Sequence, residues 1–295
     1  MTGIIVKALS GFYYVKSGDA VYECRARGHF RKSGISPVVG DNVEFTATDN
    51  SHGVVDSINE RKNMLERPAV ANIDCLCIIS SYTVPSPDPL MIDRLTAIAA
   101  YHDIKPIIVF NKCDMGDFDE WSRLYSNAGF ETFVVSAATG EGIEALGKAI
   151  GERVCAFAGN SGVGKSSILN ALFGELNIRT GEVSEKLGRG RHTTRHTELY
   201  SNGSGGYIVD TPGFSSIEVS DDYNFNERLA DCFTDFSVFT DNCRFTSCTH
   251  TCELGCGVIK AVAQGKLQAS RHKSYCAMFE ELKDLKAWEN RKEKK

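Results

Sequence analysis

The chain has 295 residues, enough for about two domains, and its 42% apolar and 24% charged residues exclude disordered, collagenous and membrane-spanning classes. Its 33 basic residues against 38 acidic ones give a net charge of −5, which excludes a uniformly basic nucleic-acid binder but leaves room for local patches. No apolar run approaches the roughly 20 residues of a membrane helix, and the N-terminal "MTGIIVKALSGFYYVK" reads as strand, with Lys7 interrupting its apolar residues. The cysteine count of 11 is odd and no export signal accompanies it, so a reducing cytoplasm is expected.

From Gly3 to Ile58 run five short β-rich segments, "GIIVKAL", "FYYV", "VYECRAR", "NVEFTA" and "GVVDSI". Separated by Gly, Ser, Asp and Asn, they predict a small closed OB-like barrel over residues 1–70. Within it Arg25, Arg27, Arg31 and Lys32 form a stretch without an acid, close to Phe12, Tyr13, Tyr14 and Phe30. The basic residues suit phosphate tracking, and the rings suit either base stacking or the barrel core. From Cys75 the texture changes to "CLCIIS", a helix near Leu90 to Tyr101, "IIVFN", a helix near Asp119 to Ala128, and "TFVVS". It continues through a short helix after Gly142, "VCAFAG", a helix from Lys165, and "YIVD". That alternation predicts a parallel sheet with helices on both faces, assigned to residues 71–221. Residues 222–295 follow, with two expected helices and six of the cysteines, Cys232, Cys243, Cys248, Cys252, Cys256 and Cys276.

Three strand ends carry the chemistry. "GNSGVGKSS" comprises Gly159, Asn160, Ser161, Gly162, Val163, Gly164, Lys165, Ser166 and Ser167, and fits G-x-x-x-x-G-K-[ST] between a strand and a helix. Backbone N–H groups of such a turn surround phosphate oxygens, Lys165 reaches the β- and γ-phosphates, and Ser166 ligates magnesium. "DTPG" supplies Asp210 to hold magnesium opposite the cradle and the Gly213 N–H for the γ-phosphate. "NKCD" supplies Asn111, Lys112 and Asp114, the last accepting from guanine N1–H and the 2-amino group, a donor pair that adenine lacks. "SAATGEG" brings Ser136 and Ala137 to close over the base. The guanine reader precedes the phosphate cradle, the reverse of the usual order.

With these motifs in that order, the chain resembles the translation-factor-like GTPases of circularly permuted type, and more closely the ribosome-small-subunit-dependent GTPase A family. The resemblance spans "VGDNVEF", "ERKNMLERPAVANID", "NKCD", "SAATGEG", "GNSGVGKSS", "GRGRHTTRH", "DTPGF", "CRFTSCTHTCELGC" and "SRHKSY". It implies a multidomain protein: an OB-like β-barrel, a permuted α/β P-loop GTPase domain and a zinc-binding helical domain. It implies hydrolysis of GTP to GDP and phosphate during late maturation of the small (30S) ribosomal subunit, stimulated by that subunit. Its partners would be GTP and GDP, the subunit with its rRNA, and other assembly factors, without a membrane; the protein would be a cytoplasmic monomer. The rival expectation is a nucleotide-gated RNA-binding module whose turnover is incidental.

Cys243-x₄-Cys248-x-His250-x₅-Cys256 offers three thiolates and an imidazole for one structural Zn²⁺ per chain. Cys252 competes with His250; the family pattern favours His250, although Leu254 stands where that pattern has proline. Cys232 and Cys276 are expected in the core. The basic "KLGRGRHTTRH" resembles a switch loop with Arg189 and Arg191 as RNA contacts and Thr194, or alternatively Thr193, on the Mg²⁺ that accompanies GTP. Phe214 occupies the place where Ras-like enzymes put a water-orienting glutamine, and a phenyl ring cannot perform that role. His192 is the catalytic candidate in its stead, with docking as its other possible role.

Overall fold

The computed structural model describes residues 1–30, 34–66, 68–83, 85–174, 197–210 and 225–292, with side chains except at 210, 226 and 284–292. The strands are β1 (Thr2–Leu9), β2 (Phe12–Ser17), β3 (Ala20–Ala26), β4 (Asn42–Ala47), β5 (His52–Ile58), β6 (Met64–Glu66), β7 (Ala69–Ala71) and β8 (Cys75–Ser81). Then follow α1 (Pro89–Tyr101), β9 (Lys105–Asn111), a 3₁₀ turn at Cys113–Met115, α2 (Asp119–Asn127), β10 (Glu131–Val135), α3 (Ile143–Ile150), β11 (Val154–Ala158) and α4 (Lys165–Phe173). The hairpin β12 (Glu198–Ser201) and β13 (Tyr207–Asp210) precedes α5 (Phe225–Cys232), a 3₁₀ turn at Thr234–Phe236, α6 (Ser237–Thr240), α7 (Gly257–Ala263) and α8 (Ala269–Lys292). Among the described residues no helix is long and apolar enough to cross a membrane.

The chain forms two compact units, each assembled from separate segments. The first joins Met1–Leu76, Ile143–Phe157 and Lys165–Ser215. Its five N-terminal strands close as the sequence spacing predicts: β1 pairs β2, β2 pairs β3, β3 runs parallel to β5, β5 pairs β4, and β4 returns to β1 through Thr2↔Glu44 and Ile4↔Asn42. Alternate residues face inward, so Ile5, Val15, Cys24, Val43, Phe45 and Val55 make a dry core. Buried Asp41 accepts from Arg61 Nε (2.7 Å) and Nη2 (2.8 Å) and from the Val38 N–H (2.8 Å), so its charge is compensated by a guanidinium from a distant part of the chain. In the same unit β11 and β13 are parallel.

Two expectations need correction. The α/β sheet is not wholly parallel, because β12, a strand absent from the sequence reading, runs antiparallel to β13 and then pairs with β1 at Lys7↔Glu198. Four residues are too few to show alternation, but the "NGSGG" turn makes the hairpin possible: Asn202 Oδ1 accepts from Ser204 and Gly206 N–H, both at 2.9 Å. Second, the C-terminal region holds four described helical segments rather than two, since α6 and α7 are too short to display helical periodicity.

The second unit joins Cys77–Gly142, Ala158–Gly164 and Ser216–Lys295. Every residue of β8 is buried, and β9 runs parallel to β10 from Ile107↔Glu131 to Asn111↔Val135. Helix α1 starts at the N-cap Asp88, whose carboxylate accepts from the Leu90 N–H, with Pro89 at the first helical position. Its Ala97 and Ile98 pack into a cluster with Phe225, Leu229, Phe233, Val258, Tyr275 and Met278 from the C-terminal helices. Cys232 belongs to that cluster, and Cys276 packs at its edge.

Within this packing lies Arg271 of α8, fully buried. Its Nη1 donates to Asp93 Oδ1 of α1 (2.7 Å), while Nε and Nη2 donate to the two oxygens of Asp235 (2.7 and 2.8 Å). The Phe130 and Phe233 rings sit 4.8 and 4.9 Å from the guanidinium carbon. Removing one partner of a buried ion group leaves the remaining charges without compensation. Arg271→Ala is therefore expected to lower unfolding free energy by about 3–5 kcal/mol, as read from the denaturant midpoint at unchanged m-value; a loss under about 1 kcal/mol, the scale of a surface pair, contradicts this assignment.

Candidate functional site

The Gly159–Gly164 part of the phosphate-loop motif and the base-reader motif meet inside the second unit. Gly159 leaves β11 with φ +140°, and a Cβ there would stand 2.2 Å from the carbonyl oxygen of Ile79. Gly164 has φ +94°, and its Cβ would meet Asn111 Nδ2 at 2.3 Å. Both glycines are thus required by close approach as well as by left-handed backbone. Asn111, at the end of β9, spends both ends of its carboxamide: Nδ2 donates to the Val163 carbonyl (2.9 Å) and Oδ1 accepts from the Ala137 N–H (3.1 Å). One buried side chain therefore joins base reader, phosphate loop and closing loop.

Lys112 follows with φ +69°, and its Nζ donates to the Gly162 carbonyl and to Thr83 Oγ1, both at 2.9 Å. Asp114 is exposed, with Oδ1 accepting from the Ser136 hydroxyl at 2.6 Å. Ser136 is buried, and its loop is closed by Ser136 N–H to the Glu141 carbonyl (2.9 Å) and Gly140 N–H to the Ser136 carbonyl (2.8 Å). Asn160 is half-buried, while Ser161 and Ser167 are exposed. Lys165 and Ser166 open α4, both half-buried, and burial pushes the Lys165 ammonium below the usual lysine range. Asp210 ends β13, beside the parallel strand β11. Arg189, Arg191, His192, Thr193, Thr194, Gly213 and Phe214 lie outside the described residues.

Cys243, Cys248, His250 and Cys256 form a second constellation, their four ligand atoms all within 4.8 Å of one another. Cys243 Sγ lies 3.9 Å from Cys256 Sγ, and His250 Nδ1 lies 3.6 and 3.5 Å from these two sulfurs. A tetrahedral zinc with its usual bond lengths has sulfur–sulfur edges of about 3.8 Å and sulfur–nitrogen edges of about 3.6 Å, so this donor set fits that ion. Cys252 is exposed and stands outside the group.

Burial raises the Cys248 and Cys256 thiols and favours a neutral imidazole, while backbone donors face two of the sulfurs. The Gly257 N–H donates to Cys243 Sγ (3.3 Å) and the Ile259 N–H to Cys256 Sγ (3.5 Å), while burial lowers the pKa of His250. Glu253 gathers the loop by accepting from the N–H groups of Thr249 (2.6 Å), Thr251 (3.1 Å) and Cys252 (3.2 Å). Burial raises its pKa, but these bonds prevail and hold it at about 2. From α8, Tyr275 donates to the Thr249 carbonyl and His272 Nε2 to the His250 carbonyl, each at 2.7 Å.

In the first unit, Phe12, Tyr13, Arg25, Arg27 and Phe30 line one open groove of about 440 Å³ on the barrel. Arg25 lies over the Phe12 ring at 4.7 Å, and Arg27 Nε pairs with Asp56 Oδ1 at 2.5 Å. Phe30 is buried, whereas both arginines are exposed. Arg31 and Lys32 lie outside the described residues.

Sequence reasoning missed Thr83, Glu253, His272 and Tyr275 as supporting groups. Thr83 belongs to no motif. Glu253 carried a signal, being an acid inside a cysteine cluster, and "SRHKSY" marked His272 and Tyr275 without giving them a task.

Residues 58–220 match the family model for the RsgA GTPase, and residues 2–55 match that for the RsgA N-terminal domain. Curated relatives include the small ribosomal subunit biogenesis GTPase RsgA of Alkaliphilus metalliredigens, 42% identical over 286 residues that cover 95% of this chain and 97% of that protein. The protein of the same name from Geobacillus sp. is 42% identical over 290 residues, covering 96% of this chain and 98% of its own. Among solved structures, the circularly permuted GTPase YloQ superposes with TM-score 0.81 at 33% identity, covering 96% of this chain and 95% of that one. YjeQ from Thermotoga maritima gives TM-score 0.82 at 33% identity, covering 95% and 98% respectively.

Proposed function

The chain belongs to the RsgA GTPase family and is a GTP hydrolase, and we propose that its nucleotide cycle acts in late maturation of the small ribosomal subunit, which stimulates turnover. The ribosomal part of this reading rests on the family relatives, and its nucleotide site is supported by the bonding of Asn111 to both Val163 and Ala137, which brings the base-reader motif onto the phosphate loop. Asp114 reads guanine, with Ser136 fixing one carboxylate oxygen, and the amides of Gly159 to Gly164 take the phosphates. Lys165 neutralises the β- and γ-phosphates; Ser166, Thr194 and Asp210 hold the magnesium that comes with GTP, and the Gly213 N–H meets the γ-phosphate. Arg25, Arg27, Arg31 and Lys32 on the barrel, residues 1–70, contact rRNA, as do Arg189 and Arg191 of the GTPase domain, residues 71–221. The zinc-binding domain comprises residues 222–295, and the protein works as a cytoplasmic monomer with other assembly factors around it.

GTPase assays with purified small subunits, large subunits and free rRNA test this reading. Small subunits should raise kcat strongly and free RNA weakly. Equal stimulation by free rRNA, or none by the small subunit, overturns it.

With Phe214 unable to orient water, His192 is assigned that task, a neutral imidazole accepting from the attacking water through one nitrogen. His192→Ala should leave GTP and subunit binding intact and lower stimulated turnover by about 10²-fold or more. Lost subunit affinity at unchanged maximal turnover makes His192 a docking residue instead.

Cys243, Cys248, His250 and Cys256 hold one structural zinc per chain, which folds the loop between α6 and α7. Metal analysis should return about one zinc per chain, and chelation should loosen proteolytic protection of the C-terminal segment before that of the barrel. Stoichiometric zinc in the Cys243→Ser/Cys248→Ser protein excludes the assignment.

A further inference from the structure

We propose that Thr83 is a positioning residue of the nucleotide site, holding the Lys112 ammonium in place from outside every recognised motif. The inference rests on the guanine-site reading above. Lys112 carries three N–H donors, and two are directed at fixed acceptors, the Gly162 carbonyl and Thr83 Oγ1, each at 2.9 Å. Two such bonds fix the direction of the third N–H. They also restrain a side chain whose rotamer freedom is worth about 2 kcal/mol when it is lost on binding.

Thr83 is itself held. It follows β8 in a segment where Ser81 Oγ lies 3.3 Å from both the Thr83 and the Pro85 carbonyl oxygens. The Tyr82 N–H donates to the Asn111 carbonyl (3.3 Å), and the Tyr82 ring meets Phe118 edge-on at 5.7 Å. A Cβ on Gly162 would stand 3.9 Å from Pro85 Cδ, so the same segment flanks the phosphate loop. The segment thus touches the base reader by backbone and side chain, and lies beside the phosphate loop at Gly162. Its consequence is affinity: ground-state and transition-state nucleotide share the Lys112 contact, so loss of Thr83 raises KM and Kd together and spares kcat.

The test uses the full chain, with fluorescent GDP titrations, steady-state GTP hydrolysis and thermal unfolding of the wild type, Thr83→Val, Thr83→Ser and Asp114→Asn. Thr83→Val should weaken GDP binding and raise KM for GTP by about tenfold, the scale of one hydrogen bond to a charged group in a half-exposed setting, with kcat and Tm near wild type. Thr83→Ser, which keeps the hydroxyl, should restore affinity. Wild-type affinity in Thr83→Val overturns the proposal, as does a parallel fall of affinity and Tm that Thr83→Ser fails to rescue. Asp114→Asn separately tests the underlying reading by moving preference from guanine to xanthine nucleotides; retained guanine preference removes the site assignment whatever Thr83→Val does.

Discussion

The proposed nucleotide site depends on the Asn111 carboxamide. It is buried, its donor goes to Val163 and its acceptor receives Ala137, so neither end is left to water. A buried amide deprived of one partner forfeits about 1–3 kcal/mol, and that cost enforces a conjunction: base reader, phosphate loop and closing loop must all be in place for any one to be satisfied. Gly164 is part of the same constraint, because any side chain there would occupy the space of the Asn111 Nδ2. Such a constraint acts in space and is indifferent to chain order. Cutting the chain after one motif and joining it before another leaves Asn111 with the same neighbours, which is why a permuted connectivity is compatible with an intact site.

What the sequence discloses follows the range of the interaction that specifies it. The five barrel strands were legible because each is set by local alternation and turn residues, and the helices α1 to α4 because their lengths suffice to show a face. The strand-to-helix turns that hold Asn111 and Gly159 to Ser166 were legible because glycine requirements and turn context are local as well. Strand β12 was not, since four residues in a hairpin owe their conformation to Asn202 and to pairing with β1. Thr83 was illegible for a related reason: a threonine in a polar loop acquires its role only when Lys112 is brought to it, and nothing within a few residues of Thr83 encodes that approach.

The candidate metal loop shows the same division. Ligand spacing marks the cysteines, but the choice among neighbours is made by backbone geometry. His250 adopts φ +59°, an uncommon conformation for a non-glycine residue, and it is sustained from both sides. Glu253 collects the N–H groups of Thr249, Thr251 and Cys252, and α8 receives two carbonyls of the loop on Tyr275 and His272. The unusual backbone at His250 is thus supported by hydrogen bonds outside the four clustered ligand atoms, the arrangement a structural metal site would need.

Helix α8 carries the argument into the rest of the second unit. His272 holds the metal loop, and the residue before it, Arg271, is bound to Asp93 on α1 and to Asp235. Burial raises the pKa of Asp93, and the adjacent guanidinium opposes that rise; the ion group is held in a dry interior where a hydrophobic substitute could be equally stable. What an apolar replacement lacks is direction. Arg271 accepts only a narrow set of angles to two carboxylates at once, so it fixes the rotation of α8 against α1 more sharply than Phe233 or Met278 packing alone. The N-terminal end of α1 is capped by Asp88, a few residues after Thr83, which accepts from Lys112. Because α1 is a continuous helix, fixing it at Asp93 also bears on its N-terminal end at Asp88, so the contacts that seat α8 act on the chain that brings Thr83 to Lys112.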